Sequence, residues 1–251
     1  MTRKLRNVIV IGATSGIAQA ICRAFTQRQP PCRLFLIARD ADKLEAVAAD
    51  LKVRGVEIAG IRQADLADTA SHPELLAAAW QELGSVDAAI IAHGILGDQK
   101  KAERDWPEAA AILNVNFISV ASLATHLAND FEHQGSGQIV AIGSVAGDRG
   151  RKTNYVYGSA KSAVETFMEG LRHRLAPRGI GVLLVKPGFV DTPMTAHLPR
   201  SPLFASADQV ARTIVNAMEK DRSTVYAPFF WRPIMWIVRS LPESIFNRLS
   251  F

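Results

Sequence analysis

Two tyrosines and a lysine stand close together in YVYGSAK, residues 155–161. Tyr157 and Lys161 are four positions apart and share one face of a helix, whereas Tyr155 and Lys161 are six apart and point in different directions. A phenol has a pKa of about 10, and a neighbouring ammonium favours its anion; a pKa lower by about three corresponds to about 4 kcal/mol. Tyr157 would then exchange a proton with a carbonyl or alcohol oxygen. An isolated Y-x-x-x-K, however, most often marks an ordinary pair on a solvated helix face.

The segment from about 155 to 175 has the periodicity of an amphipathic helix, which would hold both groups. Its predicted buried stripe contains Val156, Ala160, Ala163, Val164, Phe167, Met168, Leu171 and Leu175. Further helices are predicted at 16–29, after Asp40, at 103–130, at 207–219 and at the C-terminal end. Ser206, with Gln209 three residues later, is expected to cap the helix at 207–219.

Seven short apolar runs alternate with these helical segments. They are VIVIGA (8–13), RLFLIAR (33–39), VEIAGIRQADL (56–66), VDAAIIAHG (86–94), QIVAIGS (138–144), GVLLVKPG (181–188) and STVYAPF (223–229). Continuous apolar character is typical of strands buried on both faces of a parallel sheet. The sequence therefore predicts an α/β fold: one doubly wound Rossmann-type domain over 1–251, with a seven-stranded, mostly parallel sheet and helices on both faces.

Composition excludes several classes of protein. The net charge of +5, from 29 basic and 24 acidic residues, is too small to indicate nucleic-acid binding. Cys22 and Cys32 have no metal-ligand spacing, and the six histidines form no paired pattern, so we expect no metal site. Two cysteines in 251 residues favour a reducing compartment. No run approaches 18 uninterrupted apolar residues, so we expect no membrane span and a cytoplasmic protein.

The first predicted strand runs into GATSGIA, residues 12–18. Gly12, Gly16 and Ala18 occupy the positions of a G-x-x-x-G-x-G loop. Glycine lets the backbone approach a pyrophosphate, whose charge is favoured by the N-terminus of the following helix. A loop of this kind between a strand and a helix predicts a dinucleotide site. Ala18 should be tolerated, because the third position mainly serves helix–strand packing.

The residues after the second strand bear on which dinucleotide binds. An NAD site would have an acidic residue near Ala38 to hold the ribose 2′-hydroxyl, but Ala38 is neutral and Arg39 is a cation suited to a 2′-phosphate. NADP(H) is therefore favoured over NAD. Asp40 is either a ribose ligand or a helix cap, with the cap preferred. Asp65, in ADL, would meet the adenine amine or cap another helix.

The motifs GATSGIA, ADL, NVNFIS, IGSVAG, YGSAK and KPGFVDTPM follow one another along nearly the whole chain. In this order they resemble the short-chain dehydrogenase/reductase family. The resemblance implies an NAD(P)-dependent oxidoreductase that forms a homodimer or homotetramer. Its implied catalytic residues are Asn116, Ser144, Tyr157 and Lys161. Its implied cofactor-binding residues are Gly12, Thr14, Ser15, Gly16, Ile17, Arg39, Asp65, Leu66, Gly94, Tyr157, Lys161, Pro187, Gly188, Val190 and Thr192.

The same resemblance implies a role for each catalytic residue. Ser144, thirteen residues before Tyr157, stabilises the substrate oxygen, and Tyr157 is the acid and base. Lys161 holds the nicotinamide ribose, and the positive nicotinamide of the oxidised cofactor adds to its effect on the phenol. Asn116 supports a water-linked proton relay and matches the family pattern better than Asn114.

One segment departs from the family. Where the family has Asn-Asn-Ala-Gly after the fourth strand, this chain has Ile91, Ala92, His93 and Gly94. The missing asparagine normally braces neighbouring strands, so some bracing must come from elsewhere. His93 is either a satisfied histidine near the cofactor, which is preferred, or a second proton-relay group.

The clue to the substrate lies outside these motifs. Residues 193–211 and 225–246 resemble reductases of decaprenylphosphoryl-2-keto-pentose, which reduce a 2-keto sugar on a polyprenyl phosphate after a flavin-dependent oxidase has made the ketone. The resemblance implies a lipid-linked carbonyl substrate and a flavin oxidase as pathway partner. Two alternatives stay open: a soluble reductase of acyl, steroid or small carbonyl compounds, and a non-catalytic dinucleotide sensor. Intact Asn116, Ser144, Tyr157 and Lys161 disfavour the sensor.

Two basic segments add to this hypothesis. Residues 225–251 interleave aromatic side chains with Arg232, Arg239 and Arg248, which suits a peripheral membrane surface or, equally, a subunit interface or a helix that closes the core. GDRGRK, residues 147–152, lies between Ser144 and Tyr157 and carries Arg149, Arg151 and Lys152. These three cations either reach an anionic part of the substrate or form a solvated loop without a functional role.

Overall fold

A seven-stranded parallel sheet forms the centre of the protein. The computed structural model describes residues 3–26 and 32–249. The strands of the central sheet are β1 (Asn7–Ile11), β2 (Arg33–Ala38), β3 (Glu57–Gln63), β4 (Ala88–Ile91), β5 (Gln138–Ile142), β6 (Gly181–Pro187) and, as its last strand, β9 (Thr224–Ala227). Their order is β3-β2-β1-β4-β5-β6-β9, and every described pairing is parallel. Two short strands, β7 (Val190–Asp191) and β8 (Ala205–Ser206), pair separately. All seven predicted strands, and the doubly wound fold, are confirmed.

Helices cover both faces of this sheet. They are α1 (Gly16–Phe25), α2 (Ala41–Val53), α3 (His72–Leu83), α4 (Gln99–Ala102), α5 (Trp106–Leu113), α6 (Ser119–Gln134), α7 (Tyr155–Leu175), α8 (Ala207–Glu219), α9 (Trp231–Ser240) and α10 (Glu243–Phe246). Both α7 and α8 match their predicted ranges, and Ser206 caps α8 by accepting from Gln209 N at 3.2 Å. Residues 27–29 of the predicted first helix lie outside the described residues.

The predicted helix at 103–130 differs from the observed structure. Its region contains α5 and α6, joined by a π-helical turn at Asn114–Ile118. The wider turn adds a residue to the helical repeat, which a search for a 3.6-residue period does not detect. The turn sets Asn116 on the inner side, where it is fully buried.

The core has one layer on each side of the sheet. On one side, strand residues pack against α1, α2 and α8 through side chains such as Ile21, Leu44 and Ile214. On the other, they pack against α3, α6 and α7 through Leu76, Leu127 and Met168. Burying strands on both faces explains why their sequences are apolar throughout rather than alternating.

The helical stretch Trp106–Gln134 is long and apolar enough to cross a bilayer, as judged from length and composition within the described residues. Core helices of globular proteins often meet the same criterion. Here Leu123, Leu127 and Phe131 are fully buried in the second core layer. These side chains give the stretch a place in the core.

The C-terminal helices pack beside the carboxyl ends of β5 and β6. Trp231 and Met235 on α9 form a small apolar cluster with Val145, which directly follows Ser144. The ring of Phe189 packs edge-on against Trp231, with centroids 5.5 Å apart. The end of the chain therefore helps to build the walls of the sheet edge where parallel α/β folds place their ligands.

Candidate active site

Tyr157 and Lys161 lie together on α7, with Lys161 Nζ 5.6 Å from the centre of the Tyr157 ring. Lys161 is buried and donates to Ile142 O, at the end of β5, at 2.9 Å. Ser144 follows the same strand, and its hydroxyl hydrogen-bonds with the Tyr157 phenol. Tyr155 is exposed on another side of the helix. The structure thus brings together the predicted serine, tyrosine and lysine.

The protonation of these groups is governed by burial. Burial raises the pKa of Tyr157 to about 12, although the hydrogen bond with Ser144 acts in the opposite direction. The sequence predicted a lowered pKa for this phenol. When only the protein's own groups act on it, that prediction is wrong, because loss of hydration disfavours the phenolate. Burial also lowers the pKa of Lys161 to about 8. At neutral pH Tyr157 keeps its proton, as a proton donor must, and Lys161 remains mostly charged.

Asn116 fixes the segment that follows β4. Its amide accepts from Ile95 N at 3.2 Å and donates to Ile95 O at 2.8 Å and Ile112 O at 2.9 Å. Gly94 leaves no space for a side chain: a Cβ there would lie 2.7 Å from Asn116 Oδ1 and 3.7 Å from Lys161 Nζ. Asn116 Oδ1 and the Lys161 ammonium therefore both lie against Gly94, which suits the relay position that the sequence assigns to Asn116.

His93 supplies bracing that the family obtains from asparagine. Its Nε2 lies 2.8 Å from Ser119 Oγ, and that hydroxyl donates to Leu66 O at 2.5 Å. Asn114 adds a bond to Ala67 O at 3.2 Å, which separates its role from that of Asn116. These contacts tie the chain after β3 and β4 to the start of α6.

The same contacts decide between the two roles considered for His93. Ser119 has one hydroxyl hydrogen and gives it to Leu66 O, so the His93 ring must carry its own hydrogen on Nε2. Burial, followed by the charges of Lys161 and His72, lowers the pKa of His93 to about 3. The hydrogen bond to Ser119 supports a bracing role for His93, but its Nδ1 is buried without a partner among the described residues, so the expectation of a fully satisfied histidine is not confirmed.

The glycine-rich loop has the shape that a pyrophosphate requires. Gly12 adopts a φ of +84°, and a Cβ there would lie 2.5 Å from His93 N, so only glycine fits. Ser15 caps α1 by accepting from Ala18 N at 3.2 Å, and Thr14 O accepts from Gln19 Nε2 at 3.0 Å. Ala18 is fully buried in the core, as expected for the position that replaces a third glycine.

The residues expected at the adenosine end lie after β2 and β3. Arg39 is exposed directly after β2. Asp40 caps α2, since its carboxylate accepts from Lys43 N at 3.1 Å, so the preferred interpretation of this residue is confirmed. Asp65 is exposed and accepts from Ala67 N at 3.0 Å in a turn. The alternative of Asp65 as a helix cap is wrong, because α3 starts seven residues later.

The predicted nicotinamide end converges on the glycine-rich loop. Pro187 ends β6, and Val190 is buried in the short second sheet. A Cβ on Gly16 would lie 2.8 Å from Thr192 Cγ2, so Thr192 packs directly against the start of α1. Gly188 is equally tight, because a Cβ there would lie 1.8 Å from Trp231 Nε1.

Arg149 does not reach a substrate, contrary to one interpretation of the basic loop. Its Nη1 donates to Val238 O at 2.5 Å and Leu241 O at 2.7 Å, where α9 ends. Its guanidinium also lies over the Phe246 ring, 3.7 Å from the centroid. Arg149 therefore fastens α9 and α10 to the loop after Ser144.

Sequence reasoning missed a buried ionic cluster beside the catalytic residues. Lys186 on β6 contacts Asp148 and donates to Glu165 Oε1 at 2.6 Å. Asp148 is fully buried and also accepts from Tyr226 Oη at 3.1 Å. The signal available in the sequence was a lysine within an otherwise apolar central strand, which requires a buried carboxylate partner.

These features fit a nicotinamide dinucleotide. The Cβ-free turn at Gly12 and the N-terminus of α1 suit a pyrophosphate, while Gly94 and Lys161 suit a ribose beside the predicted catalytic residue Tyr157. When bound, the cofactor supplies or accepts a hydride.

Comparison with known proteins gives matching results. A profile described as short chain dehydrogenase matches residues 6–202. An uncharacterised oxidoreductase of Mycobacterium tuberculosis is 36% identical over 242 residues, covering 96% of both chains. A short-chain dehydrogenase from Sphingobium yanoikuyae, solved with NADPH, superposes with a TM-score of 0.79 at 24% identity, covering 98% of this chain and 97% of the other. An actinorhodin polyketide ketoreductase, solved with NADPH, superposes with a TM-score of 0.77 at 24% identity. The match covers 89% of this chain and 97% of the other. The family match and the shared fold agree with the site geometry, and the chain belongs to the short-chain dehydrogenase family of NAD(P)-dependent oxidoreductases.

Proposed function

We propose that this enzyme uses NADPH to reduce a ketone to a secondary alcohol. The observation that carries the proposal is the arrangement of Ser144, Tyr157 and Lys161, with a phenol that keeps its proton at neutral pH. Reduction of a carbonyl requires a proton donor at the oxygen, and a phenol of raised pKa is in the donating form.

Each residue has a distinct part in this reaction. The Ser144 hydroxyl donates to the substrate oxygen and holds it beside the Tyr157 phenol. Tyr157 transfers its proton to that oxygen as negative charge develops there. Lys161 lowers the cost of the resulting phenolate through its charge, and the site containing Asn116 and Gly94 returns a proton to the phenol through water.

The preference for NADPH rests on Arg39 and on Asp40. Arg39 is exposed at the end of β2 and suits a 2′-phosphate, whereas Asp40 is committed to its cap and its ion pair with Lys43. The two solved relatives named above carry NADPH. The remaining predicted cofactor residues, including Thr14, Ile17, Leu66 and Val190, lie along the same edge of the sheet.

For the substrate we favour a 2-keto sugar on a polyprenyl phosphate, formed by a flavin oxidase of the same pathway. The C-terminal surface supports a lipid-borne substrate, because Phe229, Trp236 and Ile237 are 81%, 71% and 55% exposed. Arg232 and Arg239 flank a depression of about 690 Å³ beside Trp236. Aromatic and basic side chains together suit the surface of an anionic bilayer. These features support the proposal of a cytoplasmic homo-oligomer that binds the inner face of the membrane.

The experiment is a turnover assay at 340 nm with NADPH and a panel of neutral, charged and lipid-linked ketones. Reduction by the native enzyme, abolished in Tyr157→Phe, is the expected result. If NADPH binds but no ketone is reduced, a dinucleotide sensor becomes the better description. Sedimentation with phosphatidylglycerol vesicles tests the membrane surface, with phosphatidylcholine vesicles and Trp236→Ala as controls. Self-association that Trp236→Ala weakens would instead assign this surface to a subunit interface.

A further inference from the structure

Buried polar atoms without a partner are concentrated at the edge of the sheet that carries the active site. In the described residues, seven buried side-chain nitrogen or oxygen atoms have no hydrogen-bond partner. Three of the seven belong to Gln99, Arg151 and Asn154. A buried polar atom left unpaired destabilises the fold, so three such atoms around the start of α7 require an explanation.

Arg151 is the most unusual of the three. It is half-buried, its Nε is fully buried, and its guanidinium has no hydrogen bond or ion pair with any residue that the structure describes. Burial lowers the pKa of Arg151, and the charge of Asp148 offsets this only in part. Asp148 forms no ion pair with Arg151 among the described residues; its carboxylate accepts from Lys186 on one oxygen and from Tyr226 on the other.

Gln99 and Asn154 are the unpaired neighbours of Arg151 around the start of α7. Gln99 Oε1 accepts from Val156 N at 3.1 Å, so the amide orientation is fixed and its Nε2 is the atom left unpaired. Asn154 N donates to Arg151 O at 3.1 Å. Gln99 therefore contacts the first turn of α7 one residue before Tyr157, Asn154 directly precedes that turn, and Arg151 precedes the helix by four residues.

The other cations of this loop are excluded by their contacts and exposure. Arg149 is bound to the carbonyls that end α9, and Lys152 is exposed to solvent. Of the three cations in residues 147–152, only Arg151 is partly buried and has a guanidinium without a hydrogen bond to the described residues.

We propose that Arg151 and Gln99 bind an anionic oxygen group, carboxylate or phosphate, that the substrate carries close to its ketone. Asn154 Oδ1 accepts from a hydroxyl of the same substrate. The inference rests on the proposed ketone reduction and restricts it to anionic, hydroxylated ketones. An arginine donates in parallel to two oxygens of such a group, which fixes the orientation of the carbonyl at Tyr157.

The test uses two matched pairs of ketones: dihydroxyacetone phosphate with dihydroxyacetone, and pyruvate with its methyl ester. Arg151→Gln should raise KM for the charged member of a pair by about 10- to 100-fold, the range of a charged hydrogen bond. The neutral member should change less than about twofold, and kcat should be nearly constant. Lys152→Gln is the matched control and should behave as the native enzyme, while Arg151→Lys should recover part of the loss.

The two pairs show whether the site takes phosphate or carboxylate. Equal changes in KM for charged and neutral ketones, or equal effects of Arg151→Gln and Lys152→Gln, would overturn the proposal. Calorimetric titration of the NADP-loaded protein with inorganic phosphate and with acetate gives a readout that needs no turnover. Anion binding that Arg151→Gln abolishes supports the site even if no ketone is reduced, whereas failure of both anions to bind the native protein counts against it.

Discussion

Lys186 Nζ lies between two carboxylates, in contact with Asp148 and 2.6 Å from Glu165 Oε1. Asp148 is four residues after Ser144, and Glu165 is four residues after Lys161, one turn further along α7. Lys186 itself directly precedes Pro187 and Gly188. A single buried ammonium therefore fixes the relative positions of the three segments that carry the serine, the lysine and the predicted nicotinamide loop.

Replacing Lys186 by methionine should lower the free energy of unfolding by about 3–5 kcal/mol, because the buried Asp148 carboxylate and the partly buried Glu165 carboxylate lose their counter-charge. Adding Asp148→Asn and Glu165→Gln should recover most of this loss, since the triple variant buries no uncompensated charge. Urea denaturation of the native, single and triple variants measures both effects. A single variant as stable as the native protein would show that the cluster is hydrated and unimportant.

Tyr157→Phe should reduce kcat by about 10²- to 10⁴-fold, because the proton donor at the substrate oxygen is lost. NADPH binding should be largely kept, since the phenol is not needed for the dinucleotide loop. Tyr155→Phe is the matched control, two residues away and 42% exposed. Steady-state assays and cofactor titrations separate the two, and an equal loss in both variants would mean that the wrong tyrosine has been assigned.

Arg39→Ala should weaken NADPH binding much more than NADH binding, because only NADPH offers a 2′-phosphate to a guanidinium. The dissociation constants of both reduced cofactors, measured by fluorescence titration, give the comparison. Arg62→Ala, at another exposed arginine close to the same edge, serves as a control for general charge effects. Tighter binding of NADH than of NADPH by the native protein would contradict the assignment.

Lys161 should make stability depend on pH between about 8 and 10.5. Burial lowers its pKa from 10.5 to about 8, so in this range the unfolded chain binds the proton that the folded protein lacks. Folding stability therefore increases as pH rises through this window, by about 3 kcal/mol. Below pH 8 both states are protonated, and the full cost of burying the ammonium is present.

The measurement is the difference in unfolding free energy between the native protein and Lys161→Met, taken at several pH values. The native protein should gain relative to the variant as pH rises from 8 to 10.5, while groups common to both proteins cancel. Parallel curves over this range would show that the ammonium is more hydrated than its burial suggests.

Arg149→Ala should destabilise the C-terminal helices more than the rest of the fold. The substitution leaves Val238 O and Leu241 O without their donor and removes the contact with Phe246, a loss of about 2 kcal/mol. Hydrogen exchange over 231–249 should accelerate, while β1 and β4 stay protected. Lys152→Ala should leave this exchange unchanged; uniform acceleration across the protein would mean a global effect instead.

Local sequence patterns were sufficient to predict the seven strands of the central sheet and the helices α7 and α8. The apolar runs located all seven strands, since strands buried on both faces must be apolar throughout. The periodicity at 155–175 and the cap at Ser206 gave α7 and α8 with their observed ends. Spacing alone selected Tyr157 over Tyr155, and the two do lie on different sides of the helix.

Other features depend on residues that are distant in the sequence. Hydrogen bonds link His93, Ser119 and Leu66, which belong to three separate segments of the chain. The residues next to His93 in the sequence do not indicate that Ser119 is its partner. The pKa of Tyr157 was expected in the wrong direction because the burial of its phenol depends on how α4, α5 and the segment after β4 pack around it. The sequence allowed Arg149 to be part of an anion site. In the structure its guanidinium binds carbonyls at the end of α9 and lies over the Phe246 ring of α10.

The contact between Gly188 and Trp231 joins two parts of the chain that we expect to serve different purposes, catalysis in the first and substrate selection in the second. The predicted catalytic residues Ser144, Tyr157 and Lys161 all lie within the family match at 6–202, whereas Trp231 and the helices α9 and α10 lie beyond that match. Because the Trp231 indole packs against Gly188, the last part of the chain lies beside the predicted nicotinamide loop. We therefore expect substrate specificity to change when only this C-terminal segment is exchanged. A chimaera that receives residues 229–249 from a relative should acquire the substrate range of that relative while its predicted catalytic residues stay the same.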